Sequence, residues 1–194
     1  MIKMIVGFLG SLCSGKTTAA NHAAEKFGGK VYSLAHPIKM MVKEFSFPYD
    51  RNTLVKLGET LKHYFGNNLF VDILFKNAAS NIQKSVPIFI DDVRFQYEAN
   101  FIEEMGGTVF YIEVDYKILH QRYLARNRDI DEKMSYTDFV NYLYTCPAEI
   151  FSYLQYGKSK FSVIKNNKSL DHFFSQIEDS LINVDSNKFF MDFR

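Results

Sequence analysis

The stretch Gly10-Ser11-Leu12-Cys13-Ser14-Gly15-Lys16-Thr17 has the types and spacing of a phosphate-binding loop, G-x-x-x-x-G-K-[ST]. Such a loop wraps a phosphate with backbone N–H groups pointing inward, which demands glycine where a Cβ would clash. Gly10 and Gly15 meet that demand, and Cys13 and Ser14 fill the variable positions between them. Lys16 is placed to reach the outer phosphates of a nucleoside triphosphate, and Thr17 to offer a hydroxyl to Mg²⁺. Thr18 lies in the first turn of the helix that must follow, whose N-terminal dipole favours anions. Cys13 reads as a small filler, although a thiol near a helix N-terminus is open to a lowered pKa and to oxidation.

A second constellation is Val86-Pro87-Ile88-Phe89-Ile90-Asp91-Asp92-Val93-Arg94, an apolar run ending in two acids and an arginine. An acid at the end of a strand beside a phosphate loop organises the hydrated metal, and Asp92 is assigned that role with Thr17. Asp91 is the alternative. Arg94 suits a clamp on an acceptor phosphate or on the moving group, because its fork binds phosphate bidentately. Further along, Arg122 and Arg126 are four apart and share a helix face, with Arg128 just beyond. Closed over the phosphates, Arg122 and Arg126 would exclude water and stabilise transition-state charge; a solvated basic helix is the competing reading. No glutamate follows the acid pair, so a water-activating base is not evident. Asn167-Lys168-Ser169-Leu170-Asp171 is one residue too long for a guanine-reading N-K-x-D, which speaks against a GTPase.

These residues need elements to hold them. Met4–Leu9, Lys30–Ala35, Val86–Ile90, Thr108–Val114 and Phe161–Ile164 read as short buried strands. Helical patterns lie between them: Thr17–Phe27 stopped by Gly28-Gly29, Pro37–Phe45, two or three helices over 49–84, and Gln96–Met105. A long polar helical region spans Tyr116–Tyr156, and Leu170–Leu181 closes the pattern. Five strands interleaved with helices predict an α/β fold, a parallel sheet with helices on both faces in a single domain. The spacing of Tyr64, Phe65, Phe70 and Phe75 suits a packed helix face better than a base sandwich.

Composition narrows the class. The chain has 194 residues, 47% hydrophobic and 23% charged, with a formal net charge of +1. That balance argues against a nucleic-acid or membrane-surface binder. Two cysteines cannot build a disulfide framework, and the apolar start is too short for a membrane span, so the expected location is the cytoplasm. The 19 Phe and 12 Tyr suit core and loop packing and are compatible with a homodimer.

The chain resembles the deoxynucleoside monophosphate kinases of phages and related viruses, in separate blocks from Met4 to about Leu181. The most specific block runs from Ile90 to Ile102 and is similar to I-S-D-V-R-F-x-x-E-A-x-x-I, with Asp91 in place of a small hydroxyl residue. Ser33-Leu34-Ala35-His36-Pro37-Ile38-Lys39 resembles S-F-A-x-P-L-K, and Arg51 to Gly58 resembles R-x-L-L-Q-x-L-G. The sequence departs from the pattern at Gly58-Glu59-Thr60, where the family has Gly-Thr-Glu, and at His63, where an arginine is expected.

The resemblance implies a P-loop fold of the nucleoside monophosphate kinase type, with the helical segment at about 49–84 closing over the acceptor and a lid-like segment at about 122–149. It makes Lys39, Arg51 and Glu59 acceptor-side candidates, with Lys62 and His63 as weaker ones. The implied reaction is Mg-ATP-dependent transfer to a (deoxy)nucleoside monophosphate. Two alternatives remain: a P-loop kinase acting on a hydroxyl, such as a nucleoside or dephospho-coenzyme A kinase with Asp91 as base, and a non-catalytic nucleotide-binding regulator.

Overall fold

A computed structural model of the chain describes residues 4–126, 133–146, 149 and 161–191, with side chains described to residue 184. Strands β1 (Ile5–Leu9), β2 (Lys30–Tyr32), β3 (Ile88–Val93), β4 (Thr108–Glu113) and β5 (Ser162–Lys165) form one sheet in the order β2-β3-β1-β4-β5. Every pairing in it is parallel. Between and after them come helices α1 (Lys16–Phe27), α2 (His36–Glu44), α3 (Arg51–Phe65), α4 (Leu69–Gln83), α5 (Gln96–Glu104), α6 (Tyr116–Ala125), α7 (Tyr136–Thr145) and α8 (Leu170–Met191).

The central strand β1 is buried along its whole length and divides its side chains between two cores. Val6 and Phe8 face Ala19, Ala20 and Ala23 of α1, with Leu119, Phe139, Phe173 and Ile177 packed beyond. Ile5 and Leu9 face the other way, toward Val42, Val71, Leu74 and Ile102. This is why the strands read as unbroken apolar runs rather than as alternations. Gly7 is set by close packing: a Cβ there would lie 2.9 Å from Ile102 Cδ1.

Helix ends follow local chemistry. Asp50 caps α3 by accepting from Thr53 N at 2.8 Å, and Pro37 sits in the first turn of α2. Gly28 ends α1 at φ +69°. The structure differs from the sequence expectations in several places. β2 stops at Tyr32 because Ser33–Ala35 turn to meet Asp92 on β3. β3 runs on through both acids to Val93, which pairs with Leu9. α8 continues past Leu181 to Met191. Tyr64 and Phe65 lie exposed at the end of α3, whereas Phe70 and Phe75 do belong to the core. The expected polar helical region from Tyr116 to Tyr156 is two helices, α6 and α7, where it is described; Arg128, residues 150–156 and part of the lid-like segment lie outside the described residues.

Candidate functional site

The phosphate loop joins β1 to α1 at the carboxyl end of the sheet. A Cβ on Gly10 would lie 2.6 Å from Ser14 Oγ and 2.9 Å from the Ile112 carbonyl. Gly15 has φ +102°, and a Cβ there would lie 2.6 Å from Asn166 Nδ2. The loop thus needs glycine at both fixed positions, for space at one and for conformation at the other. Cys13 adopts φ +66°, an uncommon conformation for a non-glycine residue.

Lys16 is buried, and its ammonium donates to the Gly10 and Ser11 carbonyls at 2.6 and 2.9 Å. Burial, with Arg94 nearby, lowers its pKa to about 8, and a bound anion would raise it again. Thr17 Oγ1 donates to Asp91 Oδ2 at 2.9 Å, while Asp91 Oδ1 is buried with no hydrogen-bond partner. Burial and the neighbouring Asp92 push the Asp91 carboxyl above its ordinary range.

Asp92 does other work. It accepts from Ser33 Oγ, Leu34 N and Ala35 N at 2.7, 2.7 and 2.9 Å, fastening the β2–α2 turn to β3. Of the two acids that the sequence offers for the metal, Asp92 with Asp91 as the alternative, it is Asp91 that Thr17 meets. Alternation along β3 turns Asp91 to the phosphate loop and Asp92 to the adjacent turn.

A hydroxyl and a half-unpartnered carboxylate beside the loop are donors of the kind a hard divalent cation takes, the remaining positions falling to water and phosphate oxygens. No group of three or more metal-ligating His, Cys, Asp or Glu side chains occurs among the described residues. The residues present thus fit a metal held jointly with bound phosphates.

Across the loop, two arginines from different elements converge on one acid. Arg94 at the exit of β3 and Arg51 at the start of α3 donate to Glu149 Oε1 at 2.6 and 2.7 Å. Glu149 Oε2 accepts from Leu12 N of the phosphate loop at 2.8 Å. The acid is fully buried, which alone would raise its pKa; Arg94, Lys16, Arg51 and the Leu12 N–H outweigh burial and hold it ionised. In return Glu149 raises both arginines against their own burial. Arg51 Nε also donates to the Tyr142 hydroxyl on α7, and its guanidinium lies 5.1 Å from that ring's centre.

Glu98 accepts from Arg94 N and Phe95 N at 2.8 and 3.0 Å, fixing the chain where β3 passes into α5. Its pKa is raised to about 7, chiefly by burial, against those two hydrogen bonds. Lys62 places its ammonium 3.9 Å from the centre of the Phe95 ring.

Beside the other end of the loop, Arg122 donates to the Asn166 carbonyl and Oδ1 at 2.9 and 3.2 Å, and Asn166 Nδ2 donates to the Ser14 carbonyl at 2.8 Å. Arg126 Nη1 lies 3.8 Å from Cys13 Sγ.

These groups share a cleft of about 800 Å³. It brings together Cys13, Ser14, Gly15, Lys16, Thr17, Thr18, Lys39, Arg51, Glu59, Asp91, Asp92, Arg94, Arg122 and Arg126. Gly10, packed against Ser14 and Ile112 at the start of the loop, does not line the cleft, and His63 is exposed outside it. A second cavity of about 510 Å³ is lined by Ser11 and Ser14 of the loop and by residues 111–119, among them Glu113, Asp115 and Lys117.

In the sequence, Ala148-Glu149 and Phe161 to Asn166 fit the family resemblance only loosely, and neither Glu149 nor Asn166 stands among the site candidates. Glu149 is 98 residues from Arg51 and 55 from Arg94, so no local spacing announces it. Glu98 carried a signal, as the fixed glutamate of the Asp92-Val93-Arg94-Phe95 block.

The fold and the phosphate loop define the class: the chain has the P-loop kinase fold. Two solved structures support this, a gluconokinase from Sinorhizobium meliloti 1021 and a shikimate kinase from Bacteroides thetaiotaomicron. The first has a TM-score of 0.58 at 12% identity, covering 97% of both chains. The second has a TM-score of 0.57 at 13% identity, covering 94% of this chain and 98% of the other. At such identity the likeness concerns the fold alone. No family model matches the sequence.

A curated relative is closer in sequence, a protein of Acanthamoeba polyphaga mimivirus provisionally named a deoxynucleotide monophosphate kinase. It is 28% identical over 212 residues, covering 90% of this chain and 94% of the relative. The resemblance to the viral deoxynucleoside monophosphate kinases, drawn from separate short blocks, thus holds over nearly the whole chain.

Proposed function

We propose that the protein transfers the γ-phosphoryl group of ATP to a (deoxy)nucleoside monophosphate, giving the diphosphate and ADP. The observation that carries this reading is the convergence of Arg51 and Arg94 opposite Lys16. One phosphate chain needs the loop and its lysine; a second cationic cluster across the same cleft suits an acceptor that brings its own phosphate. The name of the mimivirus relative points the same way.

Phosphoryl transfer rests on positioning and charge neutralisation. In this reading Lys16 and the loop amides hold the donor phosphates, approached by Arg122 on α6 and by Arg126. Arg126 lies just past the end of that helix in an extended conformation, not on a shared helix face. Arg51 and Arg94 hold the acceptor phosphate, with Lys39, Glu59 and Lys62 lining the wall where the nucleoside lies. Thr17 and Asp91 would hold Mg²⁺ together with phosphate oxygens and water, and it would supply neutralisation of the donor phosphates' charge. A monophosphate's oxygen is already largely ionised near neutral pH, since its second pKa is about 6, so no general base is required.

A hydroxyl acceptor would instead need a free carboxylate. Asp92 is engaged with the β2–α2 turn and Glu149 with two arginines. That leaves Asp91, whose Oδ1 has no hydrogen-bond partner, and the exposed Glu59 as the carboxylates that reading would use. The test is ADP formation with Mg-ATP and each common ribo- and deoxyribonucleoside monophosphate, alongside nucleosides and dephospho-coenzyme A, with Lys16→Ala as the control. Turnover with monophosphates alone is expected. Turnover with a nucleoside or dephospho-coenzyme A alone would replace the acceptor, and ATP binding without any turnover would favour a regulator.

A further inference from the structure

Glu149 links three parts of the site that are distant in sequence. One carboxylate oxygen takes Arg51 and Arg94 together, and the other takes the Leu12 N–H of the phosphate loop. Two guanidiniums brought this close repel one another, and each opposes the charge of Lys16 or of the other arginine. A single buried anion between them offsets that repulsion and fixes their spacing. Because the same carboxylate is tied to the loop, the spacing is set relative to the donor phosphates as well. In-line transfer depends on that relation, since small displacements of positioned reactants cost rate steeply.

We propose that Glu149 is a positioning residue for the acceptor phosphate: it sets Arg51 and Arg94 as a paired clamp at a fixed distance from the phosphate loop. Glu149 touches neither reactant in this account and acts through the two arginines. The inference rests on the monophosphate-kinase reading above. It differs from a purely structural role by predicting which of the two substrates is affected.

The experiment compares wild type with Glu149→Gln and Glu149→Asp. Binding of a nucleoside monophosphate is read by calorimetry, binding of ATP by displacement of a fluorescent analogue, and folding by thermal melting. Glutamine keeps an acceptor for the Leu12 N–H but loses the charge shared by the arginines; aspartate keeps the charge but loses reach. Both variants are expected to weaken monophosphate binding by ~10-fold or more while ATP binding stays within ~3-fold, and to raise the acceptor KM more than the ATP KM. Equal loss for both nucleotides, or no loss for either, would overturn the proposal. If Glu149→Gln does not fold, Glu149→Asp decides by the same two readings, and if neither folds Glu149 is a structural residue and the proposal falls. Wild type that binds no monophosphate would overturn the functional reading itself, whereas wild type and both variants binding it equally would overturn this inference alone.

Discussion

Asp91 and Asp92 are neighbours on β3, yet the strand sends one to Thr17 and the other to the turn before α2. Their substitutions should separate accordingly. Asp91→Asn is expected to lower kcat by ~100-fold and to raise the Mg²⁺ needed for half-maximal rate, checked by metal titration. Its stability should match or exceed wild type, since burial and Asp92 already disfavour the Asp91 charge. Asp92→Asn removes charge from a carboxylate that accepts three hydrogen bonds and should lose about 2–3 kcal/mol, read as a lower urea midpoint. Apolar Ile88–Ile90 announced the strand, but the sequence could not say which acid faces the loop. That choice depends on where β3 ends, and Val93 extends it through both.

Glu98 gives a pH prediction at the same scale. Its folded pKa of about 7 lies above its ordinary 4.5, so between these values the folded state binds more protons than the unfolded. Stability from this group is therefore fully present below about pH 4.5 and is lost as pH rises through 7, by at most about 3 kcal/mol. Glu98→Gln, whose amide oxygen still accepts from Arg94 N and Phe95 N, should flatten that part of the profile. Urea midpoints between pH 4.5 and 8 check it.

At the scale of elements, the donor side is joined by the residue that follows β5. Asn166 reaches back to the Ser14 carbonyl and also receives Arg122 from α6. Asn166→Ala is expected to weaken ATP binding by ~10-fold while leaving monophosphate binding near wild type, as measured with a fluorescent ATP analogue and by calorimetry. The alternation of strands and helices was legible because both faces of the sheet are covered, leaving short apolar runs between helical patterns. The boundaries were less so. β2 stops where Asp92 captures the turn after it, a contact between residues 58 apart that no local pattern encodes. Arg51 and Arg94 were named as single candidates; their meeting on Glu149 is a product of topology.

For the whole molecule, the two cores are the two faces of one sheet, and β1 contributes to both. One cooperative unfolding transition is expected, with far-UV circular dichroism and tyrosine fluorescence coinciding. Phe173→Ala, which removes a buried ring lying next to Gly15, should shift both signals together by about 3–5 kcal/mol. Separate shifts would mean that the faces unfold independently. Among the described residues no helix is long and apolar enough to cross a membrane.

The central claim is that the cleft moves a phosphoryl group between two nucleotides. It is tested most directly by following the label from ATP carrying a radioactive γ-phosphate, incubated with the protein, Mg²⁺ and a mixture of nucleoside monophosphates, then separated by chromatography. The account predicts label in one or more nucleoside diphosphates, matched by ADP and lost with Lys16→Ala. Label released only as inorganic phosphate, or remaining wholly on bound, intact ATP, would contradict it.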